Sequence, residues 1–382
     1  MDNSAKILIV GAGPAGLAMA GRLTKAGIDF DIIEKENTVG FMWSQHYDRL
    51  HLHTVKSMSA LAHYPFPEHY PTFVSKNDLF NYYQDYAKHF NIKPSFGESL
   101  VSVTKNEKGW LVKTNKKAMV YQSVVFATGI NRIPNYPKFQ GLENFEGTKI
   151  HSREYKNPMP FIGKKTMVIG MGNTGAEIAL DLAQNKVETY VSVRSEVNIV
   201  PLTLMGNPTQ ETAQKLAKLP NSIADTISNV VQKIAIGNLE KYGIKTPKLS
   251  PSAQLRETGK TPVIDLGTVA QIKQGKIKVF GVIQSIASNT LRFNDGTIEG
   301  FDALIFATGY KSKLEEFVPN ITSFLDAYGN PKNEIGQNEF EGLFFLGFDN
   351  FKPGGILGAI NEGSKEILSK IKSKVSINKT YE

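Results

Sequence analysis

Two glycine-rich hexapeptides carry the most specific chemistry in this chain of 382 residues. Gly11-Ala-Gly13-Pro14-Ala15-Gly16 follows the β-branched run Lys6-Ile-Leu-Ile-Val10, and Gly170-Met-Gly172-Asn173-Thr174-Gly175 follows Thr166-Met-Val-Ile169. A G-x-G-x-x-G turn between a buried strand and a helix suits a diphosphate. Its first glycine permits the turn, its second lets backbone approach the phosphates, and its third lets helix and strand pack closely. The free N–H groups and dipole at the helix start then favour negative charge, and Pro14 fits there because its missing N–H costs nothing. The residues at the ends of the next strands differ. Glu34 is placed to accept hydrogen bonds from a ribose diol, as in FAD or NAD, whereas Arg194-Ser195 suits a 2′-phosphate. FAD in the first site and NADPH in the second is the economical assignment.

The elements around these loops repeat. Leu17 to Ala26 reads as a helix stopped by Gly27 and followed by the strand Phe30 to Glu34; Ala176 to Gln184 and Thr189 to Val193 repeat that order. Each copy later enters a β-rich stretch with turn signals, Glu107-Lys-Gly109 and Asn115-Lys-Lys117 in the first, Asn294-Asp-Gly296 in the second. Each then closes on the same words, Val124-Val-Phe-Ala-Thr128-Gly129 and Leu304-Ile-Phe-Ala-Thr308-Gly309. The expected fold is α/β, with two Rossmann-like dinucleotide-binding domains, each carrying a β-rich segment. The divisions expected are 1–158 for FAD, 159–300 for NADPH and 301–382 for a return to the FAD domain. Residues 41–96, rich in His, Tyr, Phe and Pro, suggest a mostly irregular wrap over the first domain. Residues 206–250 form a helical insert in the second, with Leu216, Leu219, Ile223, Ile227, Val230 and Ile234 at helical spacing. That stripe is expected to pack on its own domain, with a substrate lid or an interfacial surface as alternatives.

Composition narrows the chemistry further. The chain has no cysteine, which excludes disulfides, thiolate metal sites, iron–sulfur clusters and a redox-active Cys pair. A paired-domain disulfide reductase is therefore excluded, and no metal is expected. The remaining electron acceptors are O₂ with an organic substrate, a quinone or a partner protein. The formal charge of +8 comes from 44 Lys plus Arg, scattered along the chain rather than gathered as in a nucleic-acid binder. The longest uncharged stretch, Ile7 to Gly21, is too short to span a bilayer. A cytoplasmic protein with no transmembrane segment is the expectation.

The segment between the two glycine loops decides among the acceptors. Phe145-Glu-Gly147-Thr-Lys-Ile-His151-Ser-Arg-Glu-Tyr155 resembles the Phe-x-Gly-x-x-x-His-x-x-x-Tyr signature of the flavin-containing monooxygenases, and Phe306-Ala-Thr-Gly-Tyr310 a second signature. Tyr47-Asp-Arg-Leu-His-Leu-His53, Tyr64-Pro-Phe-Pro67, Lys260-Thr-Pro-Val-Ile-Asp-Leu-Gly267 and Ala307-Thr-Gly-Tyr-Lys-Ser312 resemble the YUCCA-type branch, and the likeness runs from Lys6 to about Leu368. Baeyer–Villiger relatives generally carry Trp-Pro where Tyr155-Lys156 stands. The resemblance implies that NADPH reduces FAD and that O₂ adds at flavin C4a. The (hydro)peroxyflavin then oxygenates a nitrogen or sulfur nucleophile or attacks the carbonyl of a 2-oxo acid. It adds Trp43, Thr128, Gly129, Gly355 and Leu357 to the FAD residues and Thr308, Gly309 and Tyr310 to the NADPH residues. It makes His53 a donor to flavin N5 or the peroxide, with a supporting or core role as the alternative, and His151 an orienter of the linker. Gly354-Gly-Ile-Leu-Gly-Ala359 should precede a C-terminal helix aimed at the flavin N1–C2=O edge. The implied partners are O₂ and a small molecule, with no nucleic acid; the oligomeric state, a homodimer included, is open. An NADPH oxidase or quinone reductase, or a flavin-binding redox sensor, are the other readings.

Overall fold

The computed structural model describes residues 7–349, 351 and 355–380. Lys6 and Gly354, named in the motifs above, lie outside them. Two five-stranded sheets organise the chain. The first runs Leu343–Phe345, Ser123–Phe126, Ile7–Val10, Asp31–Glu34, Ser95–Phe96, and every neighbouring pair is parallel. The second runs Ile277–Phe280, Glu188–Ser192, Lys165–Ile169, Ala303–Phe306, Thr148–His151, again all parallel. Ile7–Val10 and Ser123–Phe126 are buried throughout, which explains the apolar runs Ile7–Val10 and Val124–Phe126: a parallel strand has helices or loops on both faces. The sheets also correct the expected divisions. Thr148–His151 and Ala303–Phe306 both belong to the second sheet, so the crossings fall before 148 and after 306, not at 158 and 300.

In the first domain, α1 (Pro14–Lys25) follows the first glycine loop and α2 (Lys76–His89) crosses it. The approach is close: a Cβ on Gly21 would come within 2.1 Å of the Tyr86 hydroxyl, which donates to the Ala62 carbonyl. The wrap is irregular over most of its length, as expected, but α2 gives it a spine of 14 residues. Ser75 starts this helix, its side chain accepting from the Asp78 N–H, and buried Leu79, Tyr82, Tyr83 and Tyr86 anchor it. Aromatic residues at helical spacing supply the core face that Leu or Ile more often supplies.

In the second domain, α3 (Asn173–Gln184) follows the second glycine loop. The insert forms α4 (Thr209–Leu216) and α5 (Asn221–Ala235), as its spacing predicts. Its orientation is the reverse of the expectation. Ile223, Ile227, Val230 and Ile234 are exposed, and the buried positions of α5 are Ala224, Ser228 and Gln232. Gln232 Nε2 donates to Asn198 Oδ1 at 2.9 Å and to the Ile199 carbonyl at 3.2 Å, so polar bonds fasten this helix. The last helix, α6 (Gly355–Thr380), returns to the first domain. Arg22 of α1 pins it, with Nε donating to Ser364 Oγ and Nη2 to Asn361 Oδ1, both at 2.8 Å. Gly355 to Ala359 form its first turn instead of preceding it.

Three-stranded antiparallel sheets, Leu100–Tyr121 and Ile283–Gly300, flank the two domains, with turns at the positions the sequence marked. Among the described residues, no helix is long and apolar enough to cross a membrane.

Candidate functional site

The two glycine loops are built alike to within a few tenths of an ångström. Gly11 and Gly170 adopt φ of +105° and +109°, and a Cβ on either would fall 2.7 Å and 2.6 Å from the carbonyls of Ala127 and Ala307. Those alanines directly follow the two strands whose sequences close in the same words. Gly16 and Gly175 pack on the carbonyls of Gly11 and Gly170, where a Cβ would come within 1.8 Å and 2.0 Å. Above Gly13 and Gly172, by contrast, a Cβ would meet nothing within 4 Å. The first and third glycines are thus fixed by the fold. The second leaves room for something that is not protein.

Over the first loop lies a cavity of about 460 Å³. Gly11, Gly13, Pro14, Ala15, Glu34, Trp43, Thr128 and Gly129 line it, as does the helix α6 through Ile356 and Ile360. Gly16 stays beneath, Gly355 packs against Thr54, and Leu357 turns into the core. Glu34 is held by two backbone donors, the Ala12 N–H to Oε2 at 2.7 Å and the Glu36 N–H to Oε1 at 3.0 Å. Each oxygen retains a lone pair for a hydroxyl in the cavity. Thr128 Oγ1 is buried there with no hydrogen-bond partner, a polar group that a ligand would satisfy. His46, Met42, Arg132 and Arg153 also line this space, though no motif singled them out. Burial, and then the charges of Arg153, Lys156 and Lys76, hold the His46 imidazole down to about 4, so it is neutral near pH 7. The signal that could have found these residues was the cluster of aromatic and basic side chains in the wrap and the linker.

A larger cavity of about 1190 Å³ adjoins the first, and Ile130, Asn131 and Tyr310 line both. Thr308 and Gly309 open onto it, with aromatic Phe348, Phe351 and Tyr328 and the lysines Lys260, Lys311 and Lys332. Thr308 Oγ1 donates to the Asn135 carbonyl at 2.5 Å, tying this loop to the segment after the first sheet.

The second loop shows how the two sites diverge. The Gly11 N–H donates to the Ile33 carbonyl at 2.8 Å and the Gly170 N–H to the Ser192 carbonyl at 3.0 Å. Measured from these anchors, Glu34 corresponds to Val193, which is buried and apolar, and Arg194 stands one residue farther out. A carboxylate at the first site is therefore replaced at the second by an apolar strand end with a guanidinium beyond it. Arg194 and Ser195 are both exposed. Asn173 serves the scaffold: its Oδ1 accepts from the Ile264 N–H at 2.7 Å and its Nδ2 donates to the Pro262 carbonyl. Thr174 is partly exposed beside it, in the first turn of α3.

The linker residues hold the domains in place. Phe145 is buried in the second domain's core, and a Cβ on Gly147 would fall 2.4 Å from the Asp302 carbonyl. His151 is fully buried, with Nε2 3.1 Å from the Gly309 carbonyl and the ring edge-on to Tyr310. The Tyr155 hydroxyl donates to Asp181 Oδ2 at 2.7 Å.

His53 is placed differently from the sequence expectation. Its Nε2 lies 3.2 Å from Glu177 Oε2 on α3, and it is not among the residues lining either cavity. The Tyr47 hydroxyl donates to the same Glu177 oxygen at 2.7 Å, and Arg49 reaches Asp181 Oδ1 at 3.3 Å. Three side chains of the first domain's wrap thus close on two acids of the helix that starts at the second glycine loop. The sequence reading missed both acids, because nothing local marks an acidic residue in the middle of a helix as a cross-domain anchor.

No group of three or more His, Asp and Glu among the described residues could hold a metal ion.

The profile of the family described as flavin-binding monooxygenase-like matches residues 4–323. Probable indole-3-pyruvate monooxygenase YUCCA3 of Arabidopsis thaliana is 36% identical over 356 residues, covering 89% of this chain and 81% of the relative. Indole-3-pyruvate monooxygenase YUCCA8 of Oryza sativa subsp. japonica is 35% identical over 370 residues, covering 92% and 87%. Among solved structures, a flavin-containing monooxygenase from Stenotrophomonas maltophilia superposes with a TM-score of 0.72 at 18% identity, covering 97% of this chain and all of the other. OTEMO in complex with FAD and NADP gives 0.75 at 17%, covering 99% and 86%. At these identities the two structures establish the fold.

Proposed function

This chain belongs to the flavin-binding monooxygenase-like family, and from that premise we propose that its substrate is a 2-oxo acid with an aromatic side chain. It is an NADPH-dependent flavin monooxygenase that uses FAD and places one oxygen atom of O₂ in a small organic molecule. With a 2-oxo acid the balance is one O₂, one NADPH and one proton consumed. The acid shortened by one carbon, CO₂, NADP⁺ and water are formed. The observation that carries the substrate class is the likeness to two indole-3-pyruvate monooxygenases over about nine-tenths of this chain. The larger cavity offers Phe345, Phe348 and Phe351 to an aromatic ring, and its lining mixes Lys260, Lys311 and Lys332 with Asp326, Glu334, Asp349 and Glu366.

The residues present fit both groups. The open space over Gly13, the partnerless Thr128 hydroxyl and the tethered Glu34 carboxylate suit an adenine dinucleotide in the first cradle, and the matching space over Gly172 suits a second dinucleotide at the second loop. Arg194 and Ser195 would take the 2′-phosphate of NADPH. Bound FAD supplies the redox chemistry, accepting hydride from NADPH and activating O₂. The protein's share is positional. Glu34 would hold the ribose, and α6 lines the first cradle through Ile356 and Ile360. His151 fixes the Gly309–Tyr310 loop between the cavities, and His46, neutral near pH 7, brings one ring N–H but no positive charge. His53, held through Nε2 by Glu177, keeps the wrap and the coenzyme helix in register.

The test compares indole-3-pyruvate with a tertiary amine and a sulfide. Oxidation of NADPH should match CO₂ release one for one with the 2-oxo acid. Turnover of the amine or sulfide instead would move the substrate to a soft nucleophile. Consumption of NADPH unchanged by any of them, with all oxygen recovered as hydrogen peroxide, would make the protein an oxidase.

A further inference from the structure

Helix α3 is bonded to the wrap and the linker at two successive turns. Glu177 and Asp181 stand four residues apart on one face of it, and both are buried, at 3% and 8% exposed. Glu177 Oε2 accepts from the Tyr47 hydroxyl at 2.7 Å and lies 3.2 Å from His53 Nε2. Asp181 Oδ2 accepts from the Tyr155 hydroxyl at 2.7 Å. Its Oδ1 is 3.3 Å from Arg49 Nη1, which also donates to Gln184 Oε1 at 2.8 Å. The twin helix α1 makes no such use of these positions. Counted from the first glycine of each loop, Glu177 corresponds to Ala18 and Asp181 to Arg22. Ala18 packs in its own domain's core, and Arg22 bonds to α6 of that same domain. A buried carboxylate costs stability unless donors meet it, and for α3 the donors come from outside its own domain's core.

We infer that Glu177 and Asp181 are positioning residues for the reduction of the flavin: they set how far the coenzyme loop stands from the first cradle. Two paths meet at this contact. On one side, α3 begins just after Gly172, in the loop read above as the seat of the coenzyme diphosphate, little more than one turn before Glu177. On the other, Trp43 and His46 line the first cavity, and Tyr47 follows directly. The Tyr47–Glu177 bond is thus a short link between the two cradles. Burial, and then the charge of Glu177, push the Tyr47 phenol well above its ordinary value, so it stays a donor across the neutral range. The groups offered to the coenzyme, Gly172, Arg194 and Ser195, all belong to the second domain, so its affinity does not depend on the link. Hydride transfer does. A C–H bond of the nicotinamide breaks, and its hydride passes with both electrons to the flavin, leaving NADP⁺. Donor and acceptor are held by different domains, and a misplacement of about 1 Å costs about a hundredfold in rate. The inference rests on the coenzyme reading of the second loop and is independent of the substrate.

The test is anaerobic stopped-flow reduction by NADPH, read as a limiting rate and a half-saturating concentration, with calorimetry of NADP⁺ binding to the oxidised protein beside it. Glu177→Ala should lower the limiting rate by at least about tenfold and leave the half-saturating concentration and the NADP⁺ affinity within about twofold. The long-wavelength charge-transfer band of reduced flavin with NADP⁺, which requires the two rings to stack, should fade with it. Glu177→Gln should recover most of the rate, because its amide oxygen still accepts from Tyr47. Where Glu177→Ala fails to hold flavin, Tyr47→Phe should make the same split at a smaller fold-change. Tyr121→Phe controls for lost stability alone: it removes a bond of 2.8 Å to Asp31 inside the first domain and should leave the rate unchanged. Three results would overturn the inference: an unchanged limiting rate in the flavin-loaded variant, an equal loss of NADP⁺ affinity, or an equal slowing by Tyr121→Phe. A wild type whose flavin NADPH does not reduce would refute the coenzyme reading itself, and the inference with it.

Discussion

Replacing Arg194 with alanine should cost the enzyme its coenzyme preference and little else. The Ser192 carbonyl anchors the Gly170 N–H as Ile33 anchors Gly11, and Val193 then occupies the place of Glu34. The Val193 side chain cannot accept hydrogen bonds from ribose hydroxyls, so discrimination falls to Arg194 and its neighbour Ser195. A charge-assisted contact to a phosphate contributes about 1.5–3 kcal/mol, and each 1.4 kcal/mol is a factor of ten. Arg194 is exposed, so water and salt screen it and the low end applies. The wild type should therefore prefer NADPH over NADH by about tenfold in the efficiency of anaerobic flavin reduction. Arg194→Ala should raise the NADPH concentration needed for half-maximal reduction by that factor and leave NADH nearly unchanged. Arg194→Lys should recover part of the loss, because it restores the charge without the two-pronged geometry. Raising salt should shrink the wild-type preference and leave the alanine variant flat. The assay is stopped-flow bleaching of the flavin band with each coenzyme. Equal losses with both coenzymes would mean that Arg194 supports the strand, and a wild type that favours NADH would refute the second site's assignment.

Gly13→Ala should fold normally, because its Cβ meets nothing within 4 Å, yet lose at least about tenfold in FAD affinity as the methyl enters the phosphate space. Gly16→Ala, whose Cβ would lie 1.8 Å from the Gly11 carbonyl, should be destabilised by several kcal/mol or fail to fold; flavin content and chemical denaturation separate the two. Tyr47→Phe removes a donor 2.7 Å from buried Glu177 and should lower stability by about 1.5–3 kcal/mol in urea titration. For His46 the folded state holds the imidazole down to about 4. Below the unfolded value near 6.5 the unfolded chain gains a proton that the folded chain refuses, so stability is lost as pH falls through that window. The stability advantage of flavin-free wild type over His46→Gln should therefore shrink between pH 6.5 and 4, by about 3 kcal/mol at most, and a constant difference would contradict the burial of His46.

The repeated architecture was written in local signals. Unbroken β-branched runs before each glycine loop require strands covered on both faces, and the spacing of the glycines requires a turn and a close helix, whatever lies elsewhere. Glu34 could be read as a strand end for the same reason, whereas Arg194 stands two residues beyond its strand, Glu188–Ser192, with Val193 in the place of Glu34. The Phe145 to Tyr155 motif identified the family because it is dense in fixed residues over a short span.

Tertiary packing decided the rest. Residues 76–89 mix polar and aromatic side chains with no plain aliphatic stripe, yet Leu79, Tyr82, Tyr83 and Tyr86 become one buried face once α1 offers Gly21 to Tyr86. Helical periodicity showed that residues 221–235 form a helix but not which face turns inward, because a stripe buries equally well on its own domain or on another surface. Asn198 and Ile199, 34 and 33 residues away in sequence, set that choice by bonding Gln232. His53 likewise was legible as a residue able to donate a proton, but its direction was set by Glu177, 124 residues along the chain. Sequence determines what a short stretch can become and which chemistry it can hold. Which partner a side chain meets depends on contacts between distant segments, and those exist only when both sheets are assembled.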